Sequence, residues 1–296
     1  MSKYSSKWLK VSEPVPHVLL IELNRAPVNA FSTEFWRAYG NLFETIVEDG
    51  YDVRAAVVSS TFPKFFTAGL DSNAIHAAVN DAGVLGSDGA DTSRDGARSS
   101  LAMRKTLLEF QEAIGKPEQA PFPVIAAIHG WCIGLGVDLT SICDIRYAAS
   151  NTTFSIKEVD IGLAADIGTL AYLPKITGNQ SLIRELAYTA RNFSAAEAEK
   201  IGLVSKVVEG GKDEVVREAL KLAEYIASKS PVAVSGTKHL ITHARDHSVP
   251  ENLAYTGAWN AAALMTDDIL ENLKATKTKK KANFKSLKVD SGLAKL

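Results

Sequence analysis

Cysteine is nearly absent from this chain: Cys132 and Cys143 are the only two in 296 residues. Two thiols cannot form a disulfide framework or a four-thiolate zinc site, so a disulfide-stapled secreted module is excluded and a reducing compartment is acceptable. An excess of charge of either sign is missing as well. The 33 Lys+Arg and 34 Asp+Glu leave a formal net charge of −1. A protein devoted to nucleic acid normally needs a broad basic surface, which this balance does not supply. No run approaches the roughly 18–20 apolar residues of a membrane span. The N-terminal MSKYSSKWLKVSEP has no apolar stretch of the kind that directs secretion. The fingerprint G-x-G-x-x-G fails, because Gly134-Leu135-Gly136 is followed three residues later by Leu139, and no P-loop occurs. What remains is ordinary globular composition, 46% hydrophobic and 23% charged, in a chain long enough to bury a substantial core.

Periodicity divides the chain into an α/β part up to about residue 208 and a helical part after it. HVLLIEL (17–23) reads as a strand with Val18, Leu20 and Leu23 inward, and the segment Asn24 to Asn29 as a turn around Pro27. Thr33 to Val47 reads as a helix capped by Ser32 or Thr33, with Phe35, Leu42, Phe43 and Ile46 on its apolar face. RAAVVSS (54–60) is a second strand. A turn-rich segment then leads to a helix near Ser72–Val79, and a glycine-rich loop is expected over 80–98. Ser99 or Ser100 is expected to cap a helix that ends at Ile114, with Gly115 as its stop and Pro117, Pro121 and Pro123 beyond it. Strands are expected at Val124–Ile128, Ile145–Ala149, Thr153–Ile156 and Gly202–Val208. Helices are expected at Val137–Ile142, near Gly168–Ile176, and at Ser194–Lys200, where Glu197 completes a capping-box pattern. From Lys212 onward the chain reads as helix, punctuated by Pro231 and Pro250.

Two glycine turns look alike: Ala68-Gly69-Leu70-Asp71 and Ile133-Gly134-Leu135-Gly136, each ahead of an expected helix. The first N–H groups of a helix have no intrahelical partner. Two such turns face to face would aim two donors at one point, the arrangement that holds an oxyanion. The alternative is that both are plain helix-entry glycines. Three carboxylates lie near these turns in sequence: Asp138, in the first turn of its helix, and Glu158 and Asp166, flanking the apolar VDIGLAA. A carboxylate in an apolar pocket has a raised pKa and can act as acid or base near neutrality. Asp144 and Asp160 read as structural residues at turns. His239, His243 and His247 share a helical face; a solvated face is the reading preferred over a metal site. Cys132 and Cys143 read as small buried hydrophobes. The cluster Lys274, Lys277, Lys279, Lys280 and Lys281 reads as a solvated face, or as a receiver of phosphates.

At these residues the chain resembles the crotonase (enoyl-CoA hydratase/isomerase) superfamily. The resemblance rests on LNRAPVNAFS, KFFTAGLD, IHGWCIGLGVDLTSICDIRYAA, FSIKEVDIGLAADIGTLAYLPKITGN and the late KKKANF, and spans roughly residues 15–285. It implies an α/β fold, a crotonase-like spiral of β-β-α units forming two nearly perpendicular sheets, with a C-terminal helical trimerisation region. It implies a spiral core over residues 1–208 for acyl-CoA binding and catalysis, and a helical oligomerisation region over 209–296. Family members bind acyl-CoA thioesters, and two backbone amides polarise the thioester carbonyl. By position these match the N–H groups of Leu70 and Leu135, with Ala68, Gly69, Asp71 and Gly134 around the substrate. Leu135 departs from the usual glycine, so its side chain must point away from the thioester.

The acids choose the branch. Hydratases carry glutamate at both main positions, whereas this chain has Asp138, then Glu158, and adds Asp166 where hydratases have glycine. That trio resembles the dienoyl-CoA isomerase branch. It implies a proton moved from C2 by Glu158 to C6 by Asp166, with Asp166 protonated in an apolar setting and Asp138 assisting. No metal or redox cofactor is implied, since the isomerisation only moves protons, and CoA is part of the substrate. A homotrimer or homohexamer is implied. The final Ala294-Lys295-Leu296 resembles the tripeptide read by the peroxisomal import receptor, which points to the peroxisomal matrix. The alternatives are a Δ3-Δ2-enoyl-CoA isomerase or hydratase, an RNA-binding protein on the same scaffold using the lysine cluster, or a catalytically dead acyl-CoA binder. The near-neutral charge and the three acids count against RNA, and neither membrane nor nucleic-acid partners are expected.

Overall fold

The computed structural model describes residues 3–71 and 95–287. The expected helix near Ser72–Val79, residues 80–94 of the expected loop, and the terminal tripeptide lie outside those residues. Among the described residues no helix is long and apolar enough to cross a membrane.

The strands are β1 (Leu9–Val15), β2 (Val18–Leu23), β3 (Ala55–Ser60), β4 (Phe65–Thr67), β5 (Val124–Ile128), β6 (Trp131–Ile133), β7 (Ile145–Ala149), β8 (Thr153–Ser155), β9 (Phe193–Ser194) and β10 (Lys206–Val208). They form two sheets, ordered β1-β2-β3-β5-β7-β10 and β4-β6-β8-β9. The strands β3/β4, β5/β6 and β7/β8 are three successive pairs. The first member of each joins the larger sheet and the second joins the smaller one. The chain therefore winds as a spiral, and each turn contributes one strand to each sheet.

From β2 to β10 the larger sheet is parallel. Parallel strands are covered on both faces, which is why AAVVSS and VIAAI are buried at every position. Alternate residues serve the two faces. Val18, Ala55, Val57, Ile125 and Ala127 pack under helix α7 (Lys212–Ala227), which presents Val215, Ala219, Ala223 and Ala227 at helical spacing. The first helix beyond residue 208 is thus part of the core by packing. Ile21, Ala56, Val58, Val124 and Ala126 face inward, to a cluster shared with Phe31, Phe35, Tyr39 and Phe43 around helix α1 (Thr33–Glu48). Among the described residues, helices α2 (Gly96–Gln119), α3 (Leu135–Ile142), α4 (Thr169–Ile176), α5 (Gln180–Thr189) and α6 (Ala195–Lys200) also belong to the spiral, with a 3-10 turn at Glu158–Ile161. Helices α8 (Pro231–Ala244), α9 (Val249–Ala263) and α10 (Asp268–Thr278) follow α7.

Several boundaries differ from the sequence reading. Helix α2 begins at Gly96, capped by Asp95, whose side chain accepts the Arg98 N–H at 2.8 Å; neither Ser99 nor Ser100 is the cap. It runs through Gly115 and Pro117 to Gln119. A glycine inside a helix costs only about 1 kcal/mol, and α1 packing against α2 outweighs it. Between the expected strand Val124–Ile128 and the second glycine turn lies a further short strand, β6, that the sequence reading does not include. Gly202–Val208 is strand only over its last three residues. Strand β1 and helix α5 were not expected. β1 is an edge strand with Pro14 and few apolar residues, and it shows its alternation only at Leu9 and Val11.

Candidate active site

The first turn is built by Asn29, which is fully buried with φ +54°. Its Nδ2 donates to Ser60 Oγ (2.7 Å) and Phe66 O (3.0 Å), and its Oδ1 accepts the Arg25 N–H (2.7 Å). Thr67 Oγ1 donates to Asn29 O and accepts the Gly69 N–H. Arg25 pairs with Asp71 at 2.6 Å. A short parallel bridge pairs Phe31 with Leu70, using the Phe31 N–H on Gly69 O and the Asp71 N–H on Phe31 O. The Leu70 N–H stands outside this ladder.

The second turn places Gly134 at φ +53°, ψ −117°, backbone that only glycine adopts without strain. Its N–H donates to Ser155 O and its carbonyl accepts the Val137 N–H. Leu135 opens α3, so its own N–H has no intrahelical partner. Among the described residues neither the Leu70 nor the Leu135 N–H has a hydrogen-bond acceptor. The two turns abut: a Cβ on Gly69 would lie 2.9 Å from Ile133 O and 3.6 Å from Leu135 N. The Leu135 side chain is 2% exposed and belongs to the inward apolar cluster, so the leucine leaves its amide open.

The three acids gather beside these turns, close enough that the Asp138 and Asp166 charges act on Glu158. Glu158 begins the 3-10 turn. Its Oε1 lies 3.3 Å from where a Cβ on Gly134 would sit, and its Oε2 is buried without a hydrogen-bond partner. Burial, then the Asp138 charge, pushes its pKa up to about 7. Asp138 is 1% exposed, and its Oδ1 accepts the Thr169 N–H at 2.6 Å, tying α3 to the start of α4. Burial holds its carboxyl above the ordinary range, opposed by the backbone N–H groups of Thr169 and Gly168. Asp166 is exposed, in contrast to the apolar setting expected for it, because its flanks Ala165 and Ile167 turn inward and leave its side chain outward. Partial burial still raises its pKa.

The remaining candidates sort plainly. Asp144 accepts the Val124 N–H and pairs with Lys238 at 2.9 Å; Asp160 pairs with Lys157. Both cysteines are buried, and burial raises their thiols. His239 meets Tyr255 and His243 meets Asn252, each at 2.7 Å, and no metal-ligating cluster of three occurs among the described residues. Lys274, Lys277 and Lys279–Lys281 are exposed on and after α10. Sequence reasoning missed Asn29, Thr169 and Gln111, whose Nε2 donates to Asp166 O at 2.6 Å. Asn29 alone had a local signal, an asparagine beside a proline turn.

A model of the enoyl-CoA hydratase/isomerase family matches residues 15–287. The chain is 46% identical over 274 residues to the mitochondrial Δ3,5-Δ2,4-dienoyl-CoA isomerase of Homo sapiens, covering 92% of this chain and 80% of the relative. It is 41% identical over 260 residues to the peroxisomal enzyme of that name from Arabidopsis thaliana, covering 88% and 89%. Among solved structures it resembles an enoyl-CoA hydratase from Bacillus anthracis with a TM-score of 0.80 at 28% identity, covering 94% of this chain and 99% of that one.

Proposed function

The chain belongs to the enoyl-CoA hydratase/isomerase family, and on that premise we propose that it converts 3,5-dienoyl-CoA to 2,4-dienoyl-CoA in the oxidation of unsaturated fatty acids. The observation that carries the reading is the grouping of Glu158, Asp138 and Asp166 beside two abutting turns with open N–H groups. The thioester oxygen sits between the Leu70 and Leu135 amides, which stabilise the charge that develops on it. Ala68, Gly69, Asp71 and Gly134 shape the turns around that oxygen.

Glu158, with a pKa near 7, removes the C2 proton. The electron pair delocalises through the dienolate to C6. Asp166 delivers its proton there, so one C–H bond breaks, one forms, and both double bonds shift. The acyl chain lying over Asp166 excludes water and favours its protonated form. Exchange with solvent then restores both carboxyls. Only protons move, so the reading asks for no metal or redox cofactor.

The test is direct. Purified protein mixed with 3,5-dienoyl-CoA should generate the absorbance of a conjugated 2,4-dienoyl thioester. Activity confined to 3-enoyl or 2-enoyl substrates would overturn the reading.

Assembly and location belong to the same proposal. Helix α9 buries no residue, and Leu253, Leu264, Met265, Leu270 and Leu273 are all more than 60% exposed. Apolar surface on that scale supports a homotrimer or a dimer of trimers, measurable by light scattering. The two similar dienoyl-CoA isomerases are named for different compartments, the mitochondrion and the peroxisome. The peroxisomal reading rests on Ala294-Lys295-Leu296. Fusing the last ten residues to a fluorescent protein should send it to peroxisomes, and a cytosolic signal would reject that address.

A further inference from the structure

We propose that Gln111 is a positioning residue for the second proton transfer: from α2 it holds the turn that carries Asp166. The inference rests on the reading of Asp166 as the donor to C6.

The segment between the 3-10 turn and α4 is GLAADIG, residues 162–168. A segment with two glycines and two alanines has little side-chain bulk to fix its path. Ala165 and Ile167 anchor it to the core from below. Its polar attachments are few. At its start the Gly162 N–H reaches Val159 O and the Leu163 N–H reaches Glu158 O, each at 3.2 Å, and at its end the Gly168 N–H faces Asp138, whose Oδ1 accepts the next N–H, of Thr169, at 2.6 Å. Gly168 heads α4 without a capping side chain. At Asp166 itself the one side-chain bond to the backbone, among the described residues, is Gln111 Nε2 to Asp166 O at 2.6 Å.

That bond is separated by 55 positions in sequence and lies on the exposed side of the turn. It fixes the orientation of the peptide that follows Asp166. Without that bond the backbone dihedrals of Asp166 are less restrained, and a change in them redirects the carboxyl that its Cα carries. Proton delivery to carbon tolerates little misplacement, since about 1 Å can cost on the order of a hundredfold in rate. Gln111 is only half-buried, so losing its amide leaves no orphan donor in the core, and the Asp166 carbonyl turns to water. The residue contributes little to folding while controlling the second proton transfer.

The distinguishing experiment separates the two proton transfers. In D2O, deuterium entering C2 of recovered 3,5-dienoyl-CoA reports the Glu158 step and its reversal. Diene absorbance reports the completed shift through Asp166. Gln111→Met keeps the length and removes the donor; Gln111→Lys restores an N–H of similar reach. The expected result for Gln111→Met is product formation reduced about tenfold or more, C2 exchange retained, and an unchanged melting temperature, with Gln111→Lys recovering most of the product rate. Parallel loss of exchange and product, or no change in either, would overturn the proposal. Asp166→Asn is run beside them. If it still forms product at a near-normal rate, the assignment of Asp166 fails, and the role of Gln111 fails with it. If Asp166→Asn blocks product but Gln111→Met does not, only the positioning role is lost.

Discussion

Replacing Glu158 with glutamine should cut turnover steeply and at the same time make the variant gain stability relative to wild type as pH rises. The carboxyl sits against Gly134 with one oxygen buried and unpartnered, and its pKa rises from 4.5 to about 7. An unfolded chain releases this proton near 4.5, whereas the native chain keeps it until about 7. Between those values the native state binds more protons than the unfolded state, so stability falls as pH rises. Below the lower value the group contributes nothing. Above the upper one its ionised form costs the fold roughly 3 kcal/mol, at about 1.4 kcal/mol per tenfold. Glutamine has the same shape and no charge. Its amide is also buried without a partner, a cost of about 1–3 kcal/mol that does not depend on pH. The informative quantity is therefore the change in the mutational effect between pH 4 and pH 8. Urea unfolding at fixed protein concentration should show Glu158→Gln gaining on wild type by up to roughly 3 kcal/mol over that interval. Over the same range the diene assay should show turnover lower by about 10²–10⁴-fold. A mutational effect independent of pH would mean that the carboxyl is not held in the low-dielectric pocket, and near-normal turnover would remove it from the mechanism.

Other outcomes follow from the same geometry. Gly69→Ala places a methyl 2.9 Å from Ile133 O, so the two turns must part by about 0.5 Å to reach ordinary contact. The expected result is kcat lower by about 10²-fold or more with the fold retained, and kcat within about twofold of wild type would show that the two amides do not share one oxygen. Asp138→Asn keeps the acceptor for Thr169 and removes the second-largest cause of the raised Glu158 pKa, so the acid limb of kcat/KM should move to lower pH, by about one unit; an unmoved limb would mean that Asp138 is neutral throughout. Lys238→Met leaves the largely buried Asp144 without its cation and should cost about 3–5 kcal/mol in chemical unfolding. A loss below about 1 kcal/mol would show that Asp144 sheds its charge freely.

The parts legible in the sequence are those whose signal is local. An apolar run such as VIAAI states its own burial. A glycine ahead of a helix states where N–H groups are left open, and Gly69 and Gly134 carry that signal without reference to their contact. Ser194, three residues ahead of Glu197, states a helix start, and the Ser194 side chain does accept the Glu197 N–H. The illegible parts are bonds between segments far apart in the chain. Asp138 and Thr169 are 31 positions apart, Gln111 and Asp166 55, and Lys238 reaches Asp144 from a helix of the C-terminal region. No spacing rule couples such pairs, because the spiral alone decides which turns become neighbours. The same limit explains Asp166. Its apolar sequence neighbours suggested a buried carboxyl, yet Ala165 and Ile167 point into the core and Asp166 between them points outward. In an irregular segment, apolar neighbours bury themselves and leave the intervening polar side chain on the other face. An exposed acid there must be oriented by its backbone, which gives the Gln111 bond a role that residue type alone could not have indicated.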